Sequence, residues 1–242
     1  MHTLKSGQIM RAVLMALSLI TLGLAGPVLA QSAENPVVIE LYTSQGCSSC
    51  PPADAVLTEL ASRKDVIALA LHVDYWDYIG WKDTFGQKAF AERQRSYAKA
   101  AGEKMIYTPQ MVINGQDRLV GQKRSQLESL LRGARGAGDP VLTVTRDGSR
   151  LRISATVSGK IPEGSLVQLV RYIPSATVAV KRGENAGRTI EYSNTVTSWE
   201  KIGTWNGAQP LGLEVKAKGD EPAVVIIQEP GPGRILAAVV SR

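Results

Sequence analysis

The fold turns on residues 37–63, VVIELYTSQGCSSCPPADAVLTELASR. Residues 37–42 form a short apolar run rich in β-branched side chains, the pattern of a buried strand. Residues 43–46 are a loop. Pro51 and Pro52 fit a first helical turn, where no backbone N–H is needed. Residues 53–63 then place Ala55, Val56, Leu57, Leu60 and Ala61 at helical spacing, and residues 66–73 are a second apolar strand. Strand, helix and strand in that order predict a parallel βαβ unit with a right-handed crossover.

Downstream, DYWDYIGWKD (74–83) is aromatic and acidic, and residues 88–101 read as a helix with Phe90, Tyr97 and Ala101 along one side. Thr108-Pro109 leads into a strand that ends at Asn114-Gly115, a strong hairpin turn. Leu119-Val120 pairs back, and residues 125–132 predict a final helix. The glycine-rich segment 133–140 marks a boundary. Beyond it, residues 141–157 alternate around Asp147-Gly148 as a hairpin, and further strands are expected over 167–173, 178–181, 189–197, 211–215, 224–228 and 235–240. No helical pattern interrupts them. The expected architecture is α/β, with an N-terminal α/β domain over 36–133 and a C-terminal antiparallel β-sandwich-like domain over 140–242.

Residues 1–30 carry a targeting pattern. Lys5 and Arg11 precede an almost wholly apolar run, 12–24, and Val28-Leu29-Ala30 offers small residues for a signal peptidase. The run falls short of a spanning helix, so the expectation is a chain cleaved after Ala30, exported to a periplasmic or secreted location, with no stable membrane insertion of the mature part. The formal charge of +6 falls to +4 without Lys5 and Arg11, and the remaining basic residues are scattered. That distribution predicts a solvated surface and no nucleic-acid partner.

The chain has two cysteines, Cys47 and Cys50. A disulfide closing so small a loop constrains the unfolded chain little, so this spacing favours chemistry over stapling. A thiol at a strand-to-helix turn meets helix N–H groups and the positive end of the helix dipole, which stabilise thiolate. Cys47, nearer the solvent side, is expected to attack and Cys50 to resolve. Three readings of the pair stand open: a redox centre, half of a metal site, or an inert local disulfide.

The combination ELYTSQGCSSCPPAD, HVDYWDYIGWKD, YTPQMVING and RGENAGRT resembles a secreted thioredoxin-like family known only as a domain of unknown function. The resemblance runs from about Pro36 to the C-terminus. It implies a thioredoxin-like N-terminal domain with a β-rich extension, and the residues it carries over are Cys47, Cys50 and Pro109. In thioredoxin-like proteins a cis-proline packs against the Cys-x-x-Cys, which implies that role for Pro109 beside Thr108. Gly46 stands before the first cysteine where thioredoxins carry Trp, and Ser48-Ser49 differs between the cysteines. These departures leave the direction of reaction open.

His72 ends the second strand, at the carboxyl edge of a parallel sheet, where ligands gather. His72 or Asp74 is a candidate proton acceptor for Cys50, and Trp76 a candidate groove residue with Tyr75, Tyr78 and Trp81. The plain alternative is a strand-end histidine bonded to backbone under a cap of aromatics. Arg182, Glu184, Asn185 and Arg188 form a polar loop that contacts a carboxylate partner or the redox face, or is a solvated hairpin tip. The expected function is dithiol/disulfide exchange with protein or small-molecule thiols and disulfides, served by a separate redox partner, without cofactor or metal. Two rivals are a copper-binding metallochaperone using Cys47, Cys50 and His72, and a non-catalytic binding module.

Overall fold

The structure, a computed structural model, describes residues 35–121, 123–134, 140–217 and 219–241. The expected export segment, 1–30, lies outside them. Among the described residues no helix is long and apolar enough to cross a membrane.

Strand β1 (Val37–Thr43) and strand β2 (Val66–His72) are buried at every position, as continuous apolar runs in the middle of a sheet must be. They pair in parallel, Val37 opposite Val66 through Thr43 opposite His72. Helix α1 (Pro51–Ala61) makes the crossover, with both prolines in its first turn. A short 3-10 turn (Asp77–Ile79) and helix α2 (Lys88–Ala100) follow. Strand β3 (Gln110–Ile113) pairs antiparallel with β1 and with β4 (Asp117–Val120). Asn114 and Gly115, at φ 49° and 76°, make the tight turn between them, a conformation that Asn and Gly supply at least cost. Helix α3 (Arg124–Gly133) closes this half.

Among its described residues the second half contributes strands only: β5 (Val141–Asp147), β6 (Arg150–Thr156), β7 (Ser165–Ala179), β8 (Thr189–Trp205), β9 (Leu211–Lys216), β10 (Ala223–Gln228) and β11 (Ile235–Ser241). A mixed α/β architecture results, with one sheet ordered β11-β10-β7-β8-β2-β1-β3-β4 and a smaller sheet ordered β5-β6-β9.

The β-half is layered, since Leu151, Ile153 and Ala155 of the small sheet pack on Val167, Leu169, Val225 and Ile227 of the large one. It does not stand as a separate sandwich. β8 lies alongside β2, with Ala70 opposite Thr195, so the large sheet crosses the boundary drawn from sequence. The junction covers a β2 edge that would otherwise be open. A buried ion pair of the N-terminal half also reaches the second half through its arginine. Arg93 of α2 forks onto Glu40 of β1, contacts Gln228 of β10 and lies over the ring of Trp199 of β8 at 3.8 Å. The strands expected at 167–173 and 178–181 are one 15-residue strand, β7. It runs through Pro174 because neither Pro174 nor Asn194 opposite it takes part in the ladder, which resumes at Ser175 and Ser193.

Candidate functional site

The strand-to-helix turn after β1 holds Cys47 and Cys50 as a disulfide, with Cα atoms 5.4 Å apart. Cys50 is the N-cap residue of α1. Discrete N–H donors are fewer here than expected. Pro51 and Pro52 have none, and the N–H groups of Ala53 and Asp54 both bond the Cys50 carbonyl. What acts on the sulfurs is therefore the field of the helix more than individual N–H bonds. Cys47 is 1% exposed and Cys50 0%, so the expected solvent-side position of Cys47 is not seen in the disulfide state; Ser48 and Ser49 are the exposed residues of the turn.

Thr108-Pro109 is a cis peptide. It lies where β3 begins, beside α1: a Cβ built on Gly121 would come within 3.4 Å of Pro109 and 2.7 Å of Ala53. Thr108 also accepts a 2.7 Å hydrogen bond from the Trp76 indole N–H, and Trp76 stacks on the exposed Tyr78. Trp81 donates to Gln45 at 2.8 Å. The aromatic segment thus flanks the cysteine turn, with Trp76 against Gly46 on one side and bonded to Thr108 on the other.

A buried polar layer adjoins the cysteine turn, joined to it through the Gln45 N–H on Asp83 and the Asp54 N–H on the Cys50 carbonyl. Asp54 of α1, one turn beyond Cys50, accepts from the Thr43 hydroxyl at 2.8 Å through Oδ1, while its buried Oδ2 has no partner. Burial raises this carboxyl to about 7, against the lowering effects of His72 and of the Thr43 hydrogen bond. His72 is fully buried and its Nδ1 meets Asp83 Oδ2 at 2.8 Å. Burial pushes Asp83 up, but the hydrogen bond and charge of His72, with N–H donors from Gln45 and Phe85, outweigh it and hold the carboxyl below its usual range. With Asp83 ionised, Nδ1 carries the proton, and Nε2 is left without a partner. Tyr192 of β8 stands edge-on to His72 at 4.7 Å between centroids, and its buried hydroxyl is also unpartnered. Burial raises the Tyr192 phenol well above its ordinary range.

Asp54 and Asp83 had no sequence signal of their own. An Asp in a first helical turn reads as a solvated charge favoured by the helix dipole, and Asp83 ends a stretch whose pattern is dominated by aromatic residues. Asp74 is half-buried, its carbonyl accepting from the Asp77 N–H. The loop of Arg182, Glu184, Asn185 and Arg188 does reach the cysteine turn. Buried Asn185 donates to the carbonyls of Gln45 and Cys47 at 3.0 and 2.9 Å, and Glu184 accepts from the Ser48 N–H at 3.2 Å. Arg188 braces Asn185 at 3.3 Å. Among the described residues no three His, Cys, Asp or Glu side chains gather to hold a metal ion.

Comparison with known families matches residues 38–228 to the model described as a protein of unknown function, DUF1223. The chain belongs to the DUF1223 family. The DUF1223 match takes in both the cysteine turn and the loop at 182–188 that bonds it, so the two are parts of one family unit. No curated protein matches the chain. Among solved structures it is similar to the crystal structure of protein AGR_C_4864 from Agrobacterium tumefaciens, at 31% identity and a TM-score of 0.71, over 84% of this chain and 92% of that one. A crystal structure of a superoxide reductase in the oxidised state aligns at 11% identity over 43% of this chain and 87% of that one; its TM-score, 0.21, is too low to indicate a shared fold.

Proposed function

We propose that the chain is an exported thiol–disulfide oxidoreductase with a thioredoxin-like N-terminal part. The observation that carries this is the Cys47–Cys50 disulfide at the head of α1, one helical turn before the buried Asp54, whose carboxyl burial raises to about 7. The strand order β2-β1-β3-β4, the three helices and the cis-Pro109 beside α1 support the thioredoxin-like part.

In the reducing direction the Cys47 thiolate attacks one sulfur of a substrate disulfide. That bond breaks, and the released substrate sulfur takes a proton. Cys50 then loses its proton and attacks the Cys47 sulfur of the mixed disulfide, freeing the second substrate thiol and closing Cys47–Cys50. The substrate gains two electrons and two protons, the pair loses them, and a separate dithiol partner restores the reduced state. The oxidising direction runs the same steps backwards. Asp54 is the proton acceptor that best fits Cys50, because a group with a pKa of about 7 both takes and returns a proton at neutral pH. His72, fixed by Asp83, orients the layer behind it. Pro109, Thr108 and Trp76 shape the approach to the cysteines, and Asp74 lies outside the buried layer. Substrates are protein or small-molecule disulfides and thiols.

Trapping tests the role. Cys50→Ser leaves Cys47 to attack with nothing to resolve it, so a mixed disulfide accumulates with an added disulfide such as oxidised glutathione or insulin. Mass spectrometry showing no adduct on Cys47 would overturn the proposal.

A further inference from the structure

Both cysteines are buried in the disulfide state, and the other half of the chain supplies a turn that bonds the cysteine turn directly. β7 and β8, 15 and 17 residues long, form an arm that runs past the end of the sheet's core. The arm is anchored near its end, where Val180, Ile190 and Tyr192 pack with Trp81 and Phe85. Beyond the anchor only a short turn remains, closed on itself by Val180 N–H to Arg188 and Gly187 N–H to Val180. This turn lies over the cysteines. Asn185, 1% exposed at the tip of a loop, holds two carbonyls of the cysteine turn with one amide group. Glu184 holds the Ser48 N–H.

An attacking sulfur must approach a disulfide through open space, and a residue 1% exposed offers none. Glycines at φ 74° and 83°, Gly183 and Gly187, flank Asn185, so the turn has pivots on both sides that other residues adopt poorly.

We propose that the turn at residues 181–187 is a gate over the disulfide and that Asn185 is its latch: substrate reaches Cys47 only when the Asn185 amide releases the Gln45 and Cys47 carbonyls. The gate builds on the redox role proposed above. It gives the β-rich half a function, since the arm presents a specificity element to a site built by the other half. Asn185 and Glu184 are positioning residues.

The test uses the full-length oxidised protein and a reductant that needs no recognition, tris(2-carboxyethyl)phosphine. The opening rate is read by alkylating the freed thiols and weighing the protein. Removing two hydrogen bonds from the closed state with Asn185→Ala raises the open fraction, and the rate, by about 10- to 30-fold. Asn185→Asp keeps the shape and so guards against misfolding. Its carboxylate faces two carbonyl oxygens, so its rate relative to wild type rises with pH as that group ionises. Glu184→Gln keeps an acceptor for Ser48 and changes the rate less than either. If Asn185→Ala folds and opens within twofold of wild type, or if the Asn185→Asp ratio stays near one at every pH, the gate does not exist. Loss of the redox role alone shows differently, as normal gating kinetics with no catalysed reduction of insulin.

Discussion

Replacing Asp54 with Asn removes an ionisation that burial has moved from an ordinary 3.8 to about 7. The consequence for stability has a definite sign. Below about pH 4 the carboxyl is protonated whether the chain is folded or not. Between about pH 4 and 7 the unfolded chain ionises while the folded one keeps its proton. Folding therefore loses about 1.4 kcal/mol per pH unit across that window. Above pH 7 both states are ionised and the loss stops growing, at about 4 kcal/mol for a gap of about three pH units. Asn fills the same space and still accepts from Thr43, but it never ionises. The stability of Asp54→Asn relative to wild type thus climbs by about 4 kcal/mol from pH 4 to pH 7.5. Urea denaturation of both proteins at several pH values, disulfide intact, measures the difference, and titrations common to both cancel. A difference flat to within about 1 kcal/mol would refute the assignment of the near-neutral carboxyl to Asp54.

Two further changes probe the frame around the site. Arg93→Ala leaves the fully buried Glu40 with only the Tyr42 and Tyr97 hydroxyls, and a loss of about 3–5 kcal/mol in urea denaturation is expected for an uncompensated buried charge. Gly121→Ala drives a methyl against Ala53, 2.7 Å away, and against Pro109, so a loss of about 1–3 kcal/mol is expected by the same measurement, together with slower mixed-disulfide formation on Cys47.

Much of the N-terminal half was readable because its signals are local. Residues 37–42 and 66–73 are apolar throughout, the Pro51-Pro52 pair starts a helix, and Asn114-Gly115 makes a turn. The β-half was read strand by strand, but its assembly was not. The arm is not legible in the sequence because Pro174, Ser175 and Ala176 break the apolar alternation of β7 where the strand runs on, and because pairing with β8 supplies its order from a distant segment. The joining of β8 to β2 rests on a long-range contact that no local pattern records. At the site, Cys47, Cys50, Pro109 and His72 stood out by residue type and position. Asp54 did not, because its burial under β8 depends on the whole sheet being assembled. Asn185 is legible as part of a polar loop that contacts a carboxylate partner or the redox face or is solvated, and the length of the arm is what brings it to the Cys47 carbonyl.

The central claim is that Cys47 and Cys50 cycle between disulfide and dithiol while turning over a substrate. Insulin reduction by dithiothreitol, with and without catalytic amounts of the protein, tests it most directly. Wild type is expected to accelerate precipitation of the insulin B chain, and both Cys47→Ser and Cys50→Ser to abolish that acceleration. Equal rates for wild type and Cys47→Ser would contradict the redox role.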